Sequence, residues 1–206
     1  MKTIPLLLVL GFALSLCNLT NKLKEGGSAG GSKSSPAATG SGDVETPTPT
    51  AAQIAALAGG KEVTWDKQGM SWTLPPSWKE TTNETKNFGY SSPGNGAHLI
   101  VSISPMDESF PTEASINAFY DGEKTRAKNG EVDELKWLEI DGLKGVQFRE
   151  SNPEHADDSR RLQWLAYRKF AGQVQMINVM LASSGQEFPK NQDAMYGVLY
   201  STKVTH

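Results

Sequence analysis

The sequence of 206 residues has little of the side-chain chemistry on which most enzymes depend. It has one cysteine, Cys17, which excludes an intramolecular disulfide, and three histidines. Within residues 61–206 no Gly-x-Ser-x-Gly motif marks a nucleophile. The basic residues are dispersed and the net charge is -3, so nothing indicates binding of nucleic acid. The longest apolar run, residues 4–16, is too short for an ordinary transmembrane helix.

The first sixteen residues predict a signal peptide. Lys2 supplies a positive start, and residues 4–16 are almost wholly apolar, which is the layout of an export signal. Removal of residues 1–16 takes away one lysine and no acid, so the net charge changes from -3 to -4. Cys17 follows this run directly, and a cysteine at that place indicates lipid attachment after cleavage.

The four residues that end at Cys17 resemble a bacterial lipobox, the cleavage motif of lipoproteins. Leu14 and Ser15 fit that motif, whereas Leu16 stands where a small residue is usual. Two alternatives stay open for the segment, namely ordinary secretion with cleavage after Ser15 and an uncleaved anchor. Cys17 would otherwise be a buried apolar residue of the signal. We expect lipidation of Cys17, for example by palmitate, and an extracytoplasmic protein anchored to a membrane of the bacterial cell envelope.

Residues 17–60 predict the lipidated cysteine and a flexible linker. The stretch is rich in Gly, Ser, Ala, Pro and Thr, and such a composition buries too little apolar surface to offset its ordering entropy. Residues 51–58 predict one or two transient helical turns, which Gly59 and Gly60 end. Residues 61–206 contain nearly all the aromatic residues and are long enough to form one globular domain.

Alternation of apolar and polar residues predicts the strands of this domain. Met70, Trp72 and Leu74 alternate with polar residues, which is typical of a half-buried strand. Asp141 and Gly142 predict a two-residue hairpin turn, and a second hairpin is expected around residues 171–172. Residues 173–181 are apolar on both faces, which predicts a central strand.

Two helices are expected from spacing in steps of three and four residues. The first covers roughly residues 112–127, with Thr112 or Ser115 as its N-terminal cap and Glu123 as the exception on an apolar face. The second begins near Pro189 and buries Met195 and residues 198–199. This order of elements fits an antiparallel sheet sandwiched between helices.

Residues 69–78, with the sequence GMSWTLPPSW, resemble the opening strand of PsbP-like domains. The order that follows is also similar, including the turn at residues 140–145, two long strands and a closing helix. The match covers roughly residues 62–203. The resemblance implies an α+β fold, namely an α/β/α sandwich with a central antiparallel sheet and helices on both faces. It also implies a non-catalytic role, with no shared catalytic residues, and the lipid tether is similar to bacterial lipoprotein-type members.

One polar cluster is a weak candidate for a metal site, with carboxylates and an imidazole close together: Glu154, His155, Asp157 and Asp158. Their spacing matches no loop motif of known coordination geometry, and a solvated hairpin tip is the alternative. Other polar residues are interpreted structurally. Gly94 and Gly96 lack the third glycine of a dinucleotide loop and predict a turn.

Three further residue groups have structural interpretations. His98 is expected at the surface at the start of a strand. Residues 131, 133 and 134 are acidic and are interpreted as a solvated entry to a strand. Trp137 and Trp164 are expected to face each other across the sheet.

The function favoured by these patterns is a lipid-anchored, non-catalytic binding or assembly module of the cell envelope. Its partners would be the membrane, through the anchor, and an envelope protein, without nucleic acid and without a cofactor. The alternative is an envelope hydrolase, or a metal-dependent ligand-binding protein, whose site is assembled from distant residues.

Overall fold

The computed structural model describes residues 43–205, in which three α-helices and ten strands follow one another. The helices are α1 (Ala51–Ala56), α2 (Thr112–Lys128) and α3 (Phe188–Tyr200). The strands are β1 (Lys61–Trp65), β2 (Met70–Leu74), β3 (Lys79–Asn83), β4 (Asn87–Ser91), β5 (His98–Met106), β6 (Val132–Ile140), β7 (Leu143–Glu150), β8 (Ser159–Phe170), β9 (Gln173–Ser184) and β10 (Lys203–Val204). The predicted signal peptide and Cys17 lie outside the described residues.

The strands form two antiparallel sheets. Seven strands pair in the order β3-β4-β5-β9-β8-β7-β6, so β9 is the central strand, as its two apolar faces predict. The other sheet has the order β1-β2-β10 and was not foreseen from the sequence. The α+β class with antiparallel sheets is therefore confirmed.

Two hairpins set the register of the long strands. Asp141 and Gly142 join β6 to β7 with φ values of 51° and 77°, and Ala171 and Gly172 join β8 to β9 with 49° and 76°. Two successive residues with positive φ match the twist of antiparallel strands, which is the reason such turns connect hairpins. Both predicted hairpins are confirmed.

Strand alternation places α2 and α3 on opposite faces of β6. Trp137 stacks on Tyr120 of α2 with ring centroids 4.7 Å apart, whereas the next residue, Leu138, lies in the core with Trp164 and α3. Successive side chains of a strand point to opposite faces. Trp137 and Trp164 therefore do not face each other, and that prediction is wrong. Trp164 instead donates its Nε1 hydrogen to the Leu138 carbonyl at 3.1 Å.

Helix α2 begins at Thr112, and neither predicted cap is present. Pro111 is the capping residue and makes no side-chain bond, while the Ser115 hydroxyl lies 2.9 Å from the Tyr167 hydroxyl on β8. The expectation of a Thr112 or Ser115 cap is wrong because the tertiary contact takes the Ser115 hydroxyl. Glu123 is buried on this helix, and both of its carboxylate oxygens accept hydrogen bonds from Arg126.

The last part of the predicted linker packs on the domain. Residues 43–60, called the arm below, contain α1, whose first turn is closed by a reciprocal pair of bonds between Thr50 and Gln53. Gly197 of α3 allows α1 to approach closely, since a Cβ there would lie 3.0 Å from the Gln53 carbonyl oxygen and 3.1 Å from Leu57. The helical turns that were expected to be transient are a capped helix in contact with α3. Within residues 43–205 no helix combines the length and apolarity needed to span a bilayer.

Candidate functional site

A charged cluster lies where the arm, the edge strand β6 and helix α3 meet. We call it the β6 cluster and define it by seven side chains: Glu45, Glu134, Lys136, Gln147, Arg149, Tyr196 and Tyr200. They come from the arm, from β6, from β7 and from α3. The hairpin register sets Glu134 opposite Arg149 and Lys136 opposite Gln147, so the sheet itself assembles the centre of the cluster.

Glu134 is the centre of this cluster. Its Oε1 accepts a hydrogen bond from Gln147 at 2.6 Å, and its Oε2 accepts one from the Tyr196 hydroxyl. The Lys136 ammonium lies 3.5 Å from Oε1, and the Arg149 guanidinium lies 3.4 Å from Oε2. The side chain is only 25% exposed, and a carboxylate at that depth requires such partners.

Three protonated groups of the cluster hold their protons more tightly than usual. Burial, and then the Glu134 carboxylate, raise the pKa of the Tyr196 hydroxyl. Burial also raises the pKa of Tyr200, against the opposing effect of Lys136. Burial alone would lower the pKa of Lys136, but Tyr200, Glu45 and Glu134 outweigh it, so the net pKa is raised.

These directions decide what the cluster can do chemically. A nucleophilic lysine or tyrosine needs a lowered pKa, because only the deprotonated group attacks or accepts a proton. Here both phenols remain hydrogen-bond donors and the lysine remains a cation. Tyr196 and Lys136 serve as partners of the Glu134 carboxylate, and none of the three protonated groups is suited to act as a base or nucleophile near neutral pH.

Ion pairs extend the cluster beyond Glu134. Arg149 bonds Asp133 at 2.7 Å, and Arg160 bonds the other oxygen of Asp133 at 2.5 Å. Arg160 is buried, with its guanidinium 4.4 Å from the ring centroid of Phe188. The interpretation as a solvated strand entry is therefore wrong for Glu134, which is half-buried among cations. Glu131 and Asp133 are exposed as expected, and Asp133 also pairs with Arg149 and Arg160.

The arm meets this cluster through Glu45. Its backbone N–H donates to the Trp137 carbonyl at 3.0 Å, and its own carbonyl accepts from the Glu139 N–H at 2.8 Å. The result is a single parallel bridge between Glu45 and Leu138 at the outer edge of β6. The Glu45 carboxylate also lies 3.1 Å from the Lys136 ammonium. An extended segment of the predicted linker thus joins the edge of the seven-stranded sheet.

A mainly apolar groove of about 620 Å³ lies beside the arm, with Pro49, Ile54 and Tyr200 among its lining residues. Tyr200 belongs to both the groove and the β6 cluster. Among residues 43–205 the exposed large hydrophobic side chains are Val44, Ile54 and Ile100, and two of these three lie on the arm. The region around the arm therefore combines apolar surface with fixed charges, as binding surfaces do.

A second polar cluster is buried at the far end of β8. Arg168 is 7% exposed, and its Nη2 donates to the Gln68 carbonyl at 2.7 Å and its Nε to Gln175 at 3.1 Å. Its guanidinium packs 4.2 Å from the ring centroid of Phe170, and no described carboxylate forms an ion pair with it. Burial lowers the pKa of Arg168 to about 10. We call Arg168, Gln68 and Gln175 the Arg168 cluster.

The weak metal candidates of the sequence lie on the exposed loop between β7 and β8. Glu154, His155, Asp157 and Asp158 are all exposed, and Asp157 accepts a hydrogen bond from Gln186 at 2.8 Å. No group of three or more His, Cys, Asp or Glu side chains in the described part of the chain is arranged to hold a metal ion. His98 begins β5 and is half-buried, and Gly94 and Gly96 lie in a short turn.

The β6 cluster was not identified from the sequence. The hairpin turn at Asp141 could have located part of the cluster, because it fixes which residues of β6 and β7 face each other. The contributions of Tyr196, Tyr200 and Glu45 depend on how α3 and the arm pack. No local pattern in the sequence indicates that packing.

No family model matches the chain, and no curated protein matches it. Solved structures do match. LpqN of Mycobacterium tuberculosis has a TM-score of 0.50 at 14% identity, over 71% of this chain and 86% of that one. PsbP of the cyanobacterium Synechocystis has a TM-score of 0.45 at 12% identity, over 71% of this chain and 92% of that one. A Bacteroides thetaiotaomicron protein has a TM-score of 0.44 at 11% identity, over 67% of this chain and 46% of its own length. The chain therefore spans less than half of that protein.

These identities establish likeness of fold alone. The likeness to LpqN, at a TM-score of 0.50, shows the fold, and a cyanobacterial PsbP is also among the matched structures, as the predicted resemblance to PsbP-like domains led us to expect. Functional residues cannot be carried over at such identities, because one fold hosts many functions.

Proposed function

We propose that this chain is a non-catalytic binding or assembly module of the bacterial cell envelope, held on a membrane by lipid attached to Cys17. The observation that carries the non-catalytic part is the protonation of the β6 cluster. Tyr196, Tyr200 and Lys136 have raised pKa values, so these three groups stay protonated at neutral pH and are poor bases and nucleophiles there.

The anchor is supported by the N-terminal sequence. A positive start, an apolar run and a single cysteine directly after it form the layout of a lipoprotein signal, although Leu16 is larger than usual. Two or three acyl chains would hold the protein firmly, because each buried methylene contributes about 0.8 kcal/mol.

The envelope role is supported by one relative in fold. LpqN is described as involved in cell envelope biogenesis, and it shares the fold at a TM-score of 0.50. The apolar surface of the arm beside the charged β6 cluster is consistent with contact to another protein.

Acyl labelling of the full chain tests the anchor. Cells producing the wild type and Cys17→Ser are fed an alkyne-bearing palmitate, and the labelled protein is followed through membrane and soluble fractions. We expect the label and the membrane association to be lost in Cys17→Ser. Asn18→Ser is the matched control, because it changes the neighbouring residue and keeps the thiol. An unlabelled wild type, or membrane retention of Cys17→Ser, would contradict the anchor.

A further inference from the structure

The two edge strands of the seven-stranded sheet are protected in different ways. β3 has five residues, carries Lys79 and Glu80, and is interrupted by a bulge between Glu80 and Thr82. Short, charged and bulged edges resist pairing with other strands. β6 has nine residues, and its bulge lies at one end, between Val132 and Glu134. The rest of its edge is regular, and the contact that meets it is the bridge to Glu45.

The bridge reveals which backbone groups of β6 point outward. Trp137 offers its carbonyl and Glu139 its N–H to Glu45, so these two residues direct their polar groups away from β7. In an antiparallel pair the inward and outward residues alternate, which gives Leu135 the same outward direction. The outward row from Leu135 to Glu139 is long enough for three alternating residues of an added strand. Glu45 uses one acceptor and one donor of this row.

The arm holds this edge weakly. Apart from its two backbone hydrogen bonds, the contact is one ion pair in which the Glu45 side chain is 57% exposed, and exposed ion pairs contribute little. Val44 is 41% exposed and provides no buried apolar anchor. Every ordered residue of the arm loses conformational entropy, which opposes these few bonds. By contrast, α1 is capped and packed on α3, so the edge contact can open while the helix stays in place.

We propose that the edge of β6 from Leu135 to Glu139 is the docking site for an extended, acidic segment of a protein partner. Glu45 of the arm occupies this site until the partner strand displaces it. The proposal rests on the proposed function, since it names the surface through which that binding module acts. Addition of a strand to a free sheet edge is a common mode of peptide recognition.

Charge decides the chemistry of the incoming segment. The Lys136 ammonium lies beside the edge, 6.0 Å from the ring centroid of Tyr200, and it forms an ion pair with the Glu45 carboxylate of the arm. Lys136 keeps its contact with Glu134 when Glu45 leaves, and a partner strand restores the second ion pair when it carries an aspartate or glutamate at the matching position. Lys144, 4.4 Å from the ring centroid of Trp137, adds a second positive charge on the opposite face of β6 and β7.

Hydrogen exchange of the full chain tests this proposal. Glu45→Pro removes the N–H that bonds Trp137, so we expect the Glu139 amide to exchange about tenfold faster than in the wild type. Val179 lies in the central strand β9 and is expected to exchange as before. A synthetic peptide with the sequence of residues 42–49 serves as the probe strand. At millimolar concentration it is expected to slow the Glu139 amide of Glu45→Pro again.

Two controls make the result specific. Thr46→Pro places the same ring one residue later, keeps the Glu45 N–H, and is expected to leave Glu139 protected. A peptide with glutamine at the position of Glu45 is expected to bind roughly threefold more weakly, because it cannot pair with Lys136. Unchanged exchange of Glu139 in Glu45→Pro, or a peptide that does not slow it, would overturn the proposal. The exchange experiment does not depend on Cys17, so failure of the anchor and failure of the edge site give separate results.

Discussion

The β6 cluster and the Arg168 cluster are both polar groups packed inside the same protein, yet they are balanced in opposite ways. In the β6 cluster each cation faces at least one carboxylate, and Glu134 has four partners. In the Arg168 cluster a more deeply buried cation faces only amides and a carbonyl. The pKa of Lys136 is raised, whereas that of Arg168 falls to about 10.

The difference teaches that burial by itself does not mark a binding site. Burial lowers the pKa of both cations, and only the presence of counter-charges reverses the direction for Lys136. Counter-charges near the surface can be exchanged for those of a partner, as proposed for Glu45. A buried cation without a counter-charge has nothing to exchange, so the Arg168 cluster is interpreted as a structural tie between β8 and the turn before β2.

Loss of the central carboxylate is expected to have the largest effect. Glu134→Gln leaves Lys136 and Arg149 with one acidic partner fewer and takes the charged acceptor from Tyr196, so we expect the free energy of unfolding to fall by about 2 kcal/mol. Urea denaturation of the wild type and the variant measures this. Glu113→Gln on the exposed surface of α2 is the matched control. Equal losses in the two variants would remove the distinction between paired and solvated carboxylates.

The Tyr196 hydroxyl is expected to contribute less than the carboxylate. Tyr196→Phe removes the bonds to Glu134 and Arg149 while keeping the buried ring, so we expect a loss of about 1 kcal/mol in the free energy of unfolding. Denaturation at neutral pH gives the value. Tyr120→Phe on α2 is the control, since that ring packs on Trp137 through its face.

Alkaline pH is expected to weaken the β6 cluster selectively. Tyr196, Tyr200 and Lys136 have folded-state pKa values above their ordinary 10.0, 10.0 and 10.5, so above about pH 10 the folded state binds more protons than the unfolded state. Their contribution is therefore complete below pH 10 and falls as the pH rises. Unfolding free energies measured from about pH 9 to pH 11 should decline less steeply in Tyr196→Phe than in the wild type. Parallel curves would show that the phenol is not coupled to folding.

Removal of the unpaired cation is expected to change stability least. Arg168→Met loses the bonds to Gln68 and Gln175 but also removes a charge buried without a counter-ion. Such replacements by a packed apolar chain are often neutral, so we expect the unfolding free energy to stay within about 1 kcal/mol of the wild type. A loss larger than that of Glu134→Gln would reverse the comparison between the clusters.

Sequence periodicity was sufficient to predict the elements that are set locally. The half-buried β2, the turn at Asp141 and the two-faced β9 each follow from a few adjacent residues. The small sheet did not follow, because β10 has two residues and its pairing with β2 depends on where α3 ends.

The part of the candidate site that lies on β6 and β7 could be predicted from the sequence. A two-residue turn at Asp141 pairs Ile140 with Leu143, and counting back along the strands sets Lys136 opposite Gln147 and Glu134 opposite Arg149. The remaining members come from tertiary packing. The low-complexity composition around Glu45 favoured a linker, and composition does not reveal that a sheet edge lies within reach of it.

Photo-crosslinking in intact cells tests the central claim most directly, namely that this chain binds a protein partner through the β6 edge. A photoreactive residue is placed at Glu139, which is exposed on that edge, or at Ile100, which is exposed on β5 far from the arm in the strand order. The account predicts a crosslinked protein from position 139 and none from position 100. Crosslinks from position 100 with none from position 139 would contradict it.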